Sequence, residues 1–372
     1  MAIKVWDYLE EYEIERDDIL EGIEKVLKSG RLILGESVKN FESSFASYCG
    51  VKHGIGVDNG TNAIFLALKA IGIGAGEEVI TVSNTAVPTV SAIVAAGATP
   101  RFIDINPETY LMDVTKIASA ITERTRCILP VHLFGQCVDM DPLLEIANRY
   151  NLYVIEDCAQ SHGATYKGSR KAGSMATLGT FSFYPTKILG GYGDGGMVIT
   201  NNDELDVKLR RLRFYGMEKV YYSEEIGYNS RLDELHAEIL LRKLKHMEQY
   251  IAKRQALAER YDEILKNTSL TLPVTLNGNG HVYYLYVCRH SKRDYIIEEL
   301  AKREIFVNIS YPWPIHTMRG YCFLGYEEGN LPETELAAKQ IFSLPMYPML
   351  SYEAQDKVCL ALGEILGEQV NL

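Results

Sequence analysis

The chain has little of what would place it outside a reducing compartment, in a membrane or on a nucleic acid. Its seven cysteines (49, 127, 137, 158, 288, 322 and 359) are scattered through 372 residues, and none forms C-x-x-C with another. Neither a disulfide framework nor a zinc site follows from that spacing, and no metal is expected. No apolar run approaches the ~20 residues that cross a bilayer. The opening M-A-I-K-V-W-D-Y-L-E-E-Y is too acidic and too weakly apolar for a secretory signal. No run of Lys and Arg offsets the net charge of −11, which argues against a nucleic-acid face. Internal repeats and low-complexity segments are also missing. The expectation is a cytoplasmic enzyme with free thiols, bound to neither membrane nor nucleic acid. At 372 residues the chain exceeds what one core usually supports, so a large domain and a smaller one are expected.

What is present is an alternation of helix and strand. Residues 17–28 and 37–48 read as amphipathic helices. Apolar runs at 54–57, 78–83, 101–105, 127–134, 152–157, 181–184 and 197–200 read as strands. Strands this apolar, separated by helices, imply an α/β fold whose mostly parallel sheet is covered on both faces. Such a sheet places its ligand at strand C-terminal ends, where Thr61, Ser83, Asn84 and Asp157 lie. From Leu232 to about Lys266 the apolar residues recur at helical spacing with no Pro or Gly, which predicts one long helix. The domain boundary is placed at its start, giving a large domain over 1–235 and a small C-terminal α/β domain over 236–372. In the latter, H-V-Y-Y-L-Y-V-C (281–288) reads as a strand, 292–302 and the segment after Ser351 as helices, and Y-P-W-P-I-H316 as a covering loop.

The densest chemistry lies between Asp157 and Gly196. V-I-E-D157-C-A-Q160-S-H-G closes one apolar run. F-S182-F-Y184-P-T-K187 leaves another, and Gly190, Gly191, Gly193, Gly195 and Gly196 follow. A lysine in such a frame can form a Schiff base with an aldehyde, and a carboxylate ending a buried strand can pair with a pyridinium nitrogen. Together they are the apparatus for pyridoxal phosphate (PLP). Surface lysines need no such frame. Asp157 could instead cap the next helix, but an unpaired carboxylate at a buried strand end is costly. D-N-G60-T61-N opens a helix, where free N–H groups favour a phosphate, although capping by Asp58 or Thr61 would explain the same residues. The glycines at 191, 193 and 196 also match G-x-G-x-x-G. A strand follows them where a dinucleotide site needs a helix, which excludes that reading. Histidines 132, 162 and 316 fit a core or a surface as well as they fit a site.

These segments, with S-G-R31-L-I-L-G, V-H-L-F-G-Q (131–136), G-D-G-G and G-Y-N229-S-R-L, resemble the DegT/DnrJ/EryC1/StrS family of sugar aminotransferases nearly end to end. The resemblance implies PLP-dependent fold type I, the aspartate aminotransferase-like fold. It makes Lys187 the Schiff-base lysine and Asp157 the partner of the pyridine nitrogen. Gln160 approaches the ring hydroxyl, and Gly60, Thr61 and Ser182 bind the phosphate. Asn229 reaches the phosphate of a neighbouring subunit, which implies a homodimer with shared sites. L-glutamate and a nucleotide-linked (dTDP-type) 3-keto or 4-keto deoxysugar are the implied substrates, with Tyr184, His316 and Arg31 as expected sugar contacts. One departure is Ala86 in S-N84-T85-A86, where many relatives carry an aromatic that stacks on the cofactor. Two other readings are a sugar dehydratase of the same family, which typically carries histidine in place of the lysine, and a non-catalytic PLP-binding sensor.

Overall fold

The structure, a computed structural model, describes residues 2–372. Seven strands form the central sheet: β1 (His53–Val57), β2 (Glu78–Val82), β3 (Thr99–Ile103), β4 (Thr125–Ile128), β5 (Tyr153–Asp157), β6 (Leu178–Ser182) and β7 (Gly196–Thr200). Their spatial order is β1-β7-β6-β5-β4-β2-β3. β3, β2, β4, β5 and β6 pair in parallel, and β7 runs antiparallel to both β6 and β1. Every residue of β2 and β7 is buried, as expected for strands covered on both faces. Helices α2 (Glu36–Cys49), α3 (Gly60–Ala70) and α4 (Val87–Ala95) contribute to that cover, while α1 (Leu9–Ser29) packs on a later helix. Phe45 shows how one helix seats on the sheet: its ring meets Phe181 edge-on at 4.9 Å and Phe183 at 5.4 Å.

The sheet topology sets the site. The C-terminal ends of β1, β2, β5 and β6 lie along one edge and carry Asp58–Thr61, Ser83–Thr85, Asp157–Gln160 and Ser182–Lys187. The run at 127–134 is not one strand. Pro130 interrupts it beyond β4, and the chain turns at Phe134 with φ 61° and Gly135 with φ 119°. A Cβ on Gly135 would lie 2.8 Å from the backbone nitrogen of Tyr284. Only glycine lets the backbone at Tyr283–Tyr284 approach this closely.

The expected long helix is two helices, α5 (Glu234–Leu244) and α6 (Met247–Leu265), separated at Lys245–His246. Helix α5 packs on α1 and α2 as part of the large core. A second core begins at Leu257, inside α6, and includes Tyr286, Leu300, Phe342 and Leu362. It is built on β8 (Tyr286–Arg289), paired antiparallel with β9 (Ile341–Leu344). Ile3 joins this second core and bridges Ile305. The apolar cores therefore divide within α6 rather than at residue 235, and the first residues lie with the C-terminal half. The strand expected over 281–288 is shorter, because 282–285 instead dock on Phe134 and Gly135 through Val282 N–H to Gly135 O (2.9 Å) and Leu285 N–H to Phe134 O (3.2 Å).

Candidate active site

A cavity of about 300 Å3 opens at the sheet edge, lined by Gly60, Thr61, Asp157, Gln160, Ser182, Tyr184 and Lys187 together with Ala86, Pro88 and Thr89. At one end is the start of α3. Asn59, not Asp58 or Thr61, caps this helix: its side chain accepts from Asn62 N–H at 2.8 Å. Asp58 is held instead by the Asn62 amide and by the Ser230 hydroxyl. The first-turn N–H groups of Gly60 and Thr61 have no helical acceptor, and the helix dipole adds to their pull on an anion. A Cβ on Gly60 would lie 2.6 Å from Ser182 Cβ, so the glycine lets this turn close against the serine hydroxyl. Gly60→Ala is expected to force the two apart and raise the PLP dissociation constant about tenfold or more, read by titrating apoenzyme with PLP. Unchanged affinity would place the phosphate elsewhere.

At the other end is Asp157, the last residue of β5. One carboxylate oxygen accepts from the Thr89 hydroxyl (2.8 Å), the other from Ala159 N–H (3.1 Å). Burial pushes its carboxyl above the ordinary value, while Thr89, Ala159 and the nearby charge of Lys187 pull the other way. A buried carboxylate on a cavity wall is a site for a cation. Gln160 links two distant segments: its Oε1 accepts from Phe134 N–H (2.8 Å) and its amide donates to the Tyr311 hydroxyl (2.5 Å). The Lys187 ammonium lies over the Tyr284 ring, 4.8 Å from its centre, and Thr186 bonds the same tyrosine's hydroxyl at 3.0 Å. His162 packs among Phe45, Phe181 and Phe183. Burial, with the charge of Lys187 adding, pushes its imidazole down to about 3, so it is a neutral core residue. His132 donates to Glu156 (2.9 Å) and accepts from Val138 N–H, and Glu156 also takes N–H bonds from Gly173, Met175 and Ala176. That cluster braces the strand beneath the site.

Two expected sugar contacts lie elsewhere. His316 is buried, its Nδ1 on the Ser83 hydroxyl (2.8 Å) and its Nε2 on Glu335 (3.0 Å). Both ring nitrogens are consumed in fastening the 311–316 loop to the end of β2, so it has none left for a substrate. Arg31 is exposed after α1, bonds its own turn at Leu34 O (3.0 Å) and does not line the cavity. Asn229 is also exposed and outside the lining of its own chain's cavity, beside Ser230, which bonds Asp58. Ala86 caps α4 on the cavity wall, and the aromatic in that wall is Tyr184. Thr89, Tyr284 and Tyr311 were not singled out from the sequence. Thr89 follows N-T-A-V-P at a helix start, a weak signal, and the two tyrosines are brought in from distant segments that pack on the large core.

The cavity thus offers an anion seat, a cation seat and an amine between them, the donor set that PLP requires. A family model, the DegT/DnrJ/EryC1/StrS aminotransferase family, matches residues 13–363. The chain belongs to this family. It is 55% identical over 372 residues (98% of this chain, 99% of the relative) to a dTDP-3-amino-3,4,6-trideoxy-alpha-D-glucose transaminase of Micromonospora megalomicea subsp. nigra. It is 44% identical over 98% of each chain to a pleiotropic regulatory protein of Geobacillus stearothermophilus. Among solved structures, S. venezuelae DesV in complex with a ketimine intermediate superposes with a TM-score of 0.97 at 40% identity, covering 100% of both chains. NtdA from Bacillus subtilis with bound PMP superposes at 0.88 with 33% identity, covering 95% of this chain and 82% of that one. The fold is PLP-dependent fold type I, and PLP is the cofactor of this aminotransferase.

Proposed function

We propose that this sugar aminotransferase moves an amino group from L-glutamate to C3 of a dTDP-linked 3-keto deoxysugar. Support for the chemistry comes from one observation: Lys187 shares a cavity with a buried Asp157 and with the free start of α3. The choice of nucleotide and carbon is supported by relatives named as dTDP-3-amino sugar transaminases, at 55%, 41% and 43% identity. Bound PLP supplies an aldehyde that exchanges amino groups and a ring that spreads the electron pair left on the reacting carbon. Gly60, Thr61 and Ser182 bind its phosphate, and Asp157 keeps its ring nitrogen protonated. Gln160, locked by Phe134 and Tyr311, approaches the ring hydroxyl. Lys187 anchors the cofactor and, once displaced, carries a proton between the donor's α-carbon and the cofactor's C4′. The retained lysine disfavours the dehydratase reading. The presence of both Lys187 and Asp157 disfavours a purely sensory role, whatever the name of the Geobacillus relative. Incubating holoenzyme with 15N-glutamate and a panel of dTDP-, UDP- and GDP-linked 3-keto and 4-keto sugars tests the assignment. The label should appear in a dTDP-3-amino sugar. Label confined to 4-amino or UDP products would overturn the substrate choice.

The site is proposed to be completed by a second copy of the chain, with Asn229 reaching the partner's phosphate. Asn229 does not line its own cavity, and the segment before it exposes Val220, Tyr221 and Ile226 at 82%, 95% and 86%. Apolar groups presented this openly call for a cover. Mixing Lys187→Ala chains with Asn229→Ala chains places both defects in one site of each hybrid and leaves the other intact. Hybrids should exceed either parent in activity. Activity equal to the parental average would rule the shared site out.

A further inference from the structure

Among the described residues, the Asp157 carboxylate has one side-chain partner, the Thr89 hydroxyl at 2.8 Å from Oδ2. Behind Thr89 stands a second hydroxyl. Thr85 Oγ1 lies 2.9 Å from Thr89 Oγ1, and both threonines are buried on the cavity wall. Neither hydroxyl serves helix α4. Ala86 occupies its cap position, and Thr89 lies in its first turn, where a threonine commonly bonds the carbonyl four residues back. Thr89 turns instead to the side chains of Thr85 and Asp157.

Proton counting gives this chain a direction. A hydroxyl carries one proton, and an ionised carboxylate only accepts. With Asp157 ionised, Thr89 donates to Oδ2, so Thr85 must donate to Thr89. That donation polarises the Thr89 hydroxyl and strengthens the bond it gives. A proton on Oδ2 would reverse both bonds. The first arrangement holds the stronger bond, because its acceptor is charged. Ala159 N–H, which only donates, holds the other oxygen at 3.1 Å. Each oxygen keeps a second lone pair for a cation. The titratable groups whose charges reach Asp157 are Lys187 after β6, His132 after β4, Cys158 after β5 and Tyr311 from the covering loop. None of their side chains bonds it.

We infer that Thr89 is a positioning residue for Asp157 and that Thr85 acts through it. Their hydroxyls form a chain that ends on the carboxylate, fixes its orientation together with Ala159, and keeps it ionised against a protonated ring nitrogen. The inference rests on the pairing of Asp157 with that nitrogen proposed above.

The decisive readout is protonation rather than rate. In holoenzyme carrying PLP labelled with 15N in its ring, the NMR signal shows whether that nitrogen holds a proton. In wild type at neutral pH it should. Thr89→Val should move the signal toward that of the unprotonated ring, and Thr89→Ser should restore it. Thr85→Val should move it the same way by less. Thr85→Val combined with Thr89→Val should match Thr89→Val alone, because Thr85 has no route to Asp157 once the Thr89 hydroxyl is gone. In apoenzyme, carboxyl infrared bands assigned through Asp157→Asn should show Asp157 titrating at higher pH in Thr89→Val than in wild type. A loss of packing alone would lower the melting temperature without moving the nitrogen signal. A wild-type nitrogen signal in Thr89→Val, or additive shifts from the two single changes, overturns the inference. If the wild-type nitrogen holds no proton, or Asp157→Asn keeps it protonated, the pairing itself fails and the inference with it.

Discussion

Lys187→Ala is expected to lower turnover by about 10^4-fold or more, because in the proposed mechanism one side chain both anchors the cofactor and carries the proton. The loss should be chemical rather than structural. Lys187 lies in a turn between β6 and β7, where its ammonium touches the Tyr284 ring without being buried in a core. The phosphate seat proposed at Gly60, Thr61 and Ser182 does not include it, so the variant should still bind PLP, though without the covalent link. Measured kcat with glutamate and acceptor, beside cofactor retained after dialysis, distinguishes the two roles. Substantial turnover in the variant would remove Lys187 from the mechanism.

Asp157→Asn is expected to slow the single-turnover reaction with glutamate by about 10^3-fold, the scale of losing one preorganised electrostatic partner. It should also have the opposite effect on the empty protein. Burial raises the Asp157 carboxyl in the folded chain. Its contribution to stability is therefore fully present at low pH and is lost as pH rises from the ordinary carboxylate value through the raised one. At neutral pH holding the group ionised is a cost that a bound pyridinium would offset. Cofactor-free Asp157→Asn should then melt above cofactor-free wild type at pH 7, with the gap closing toward pH 4. With PLP bound the order should reverse. A variant apoenzyme that melts below wild type at pH 7 would mean that Asp157 already has a sufficient partner within the chain.

The parts of the site that were legible in the sequence are those fixed by short stretches of backbone. Asp157, Ser182 and Lys187 follow strands whose apolar runs mark them, and Gly60 with Thr61 opens a helix that a strand and a turn announce. The structure brings these residues, with Gln160, to one cavity. The fold class was legible for the same reason, since periodicity reports burial on one face or two. Contacts made by docking were not. Tyr311 reaches Gln160 across 151 positions, and Thr89 reaches Asp157 across 68. Nothing near either residue advertises the pairing. The loop at 311–316 was expected to cover the site, with His316 as its polar contact. Tyr311 makes that approach, and His316 is spent on Ser83 and Glu335. The break between α5 and α6 was invisible because no Pro or Gly marks it, and apolar spacing continues through Lys245–His246.

The central claim is that one lysine cavity passes nitrogen from an amino acid to a nucleotide-linked keto sugar. The most direct measurement follows the cofactor's absorbance through both halves of the cycle in a single cuvette. Glutamate added to yellow holoenzyme should bleach it to the pyridoxamine form, with one equivalent of 2-oxoglutarate released per site. A dTDP-linked 3-keto deoxysugar added next, after removal of the donor, should restore the yellow form with one equivalent of amino sugar. Bleaching by glutamate with no recovery from any nucleotide-linked keto sugar would contradict the claim.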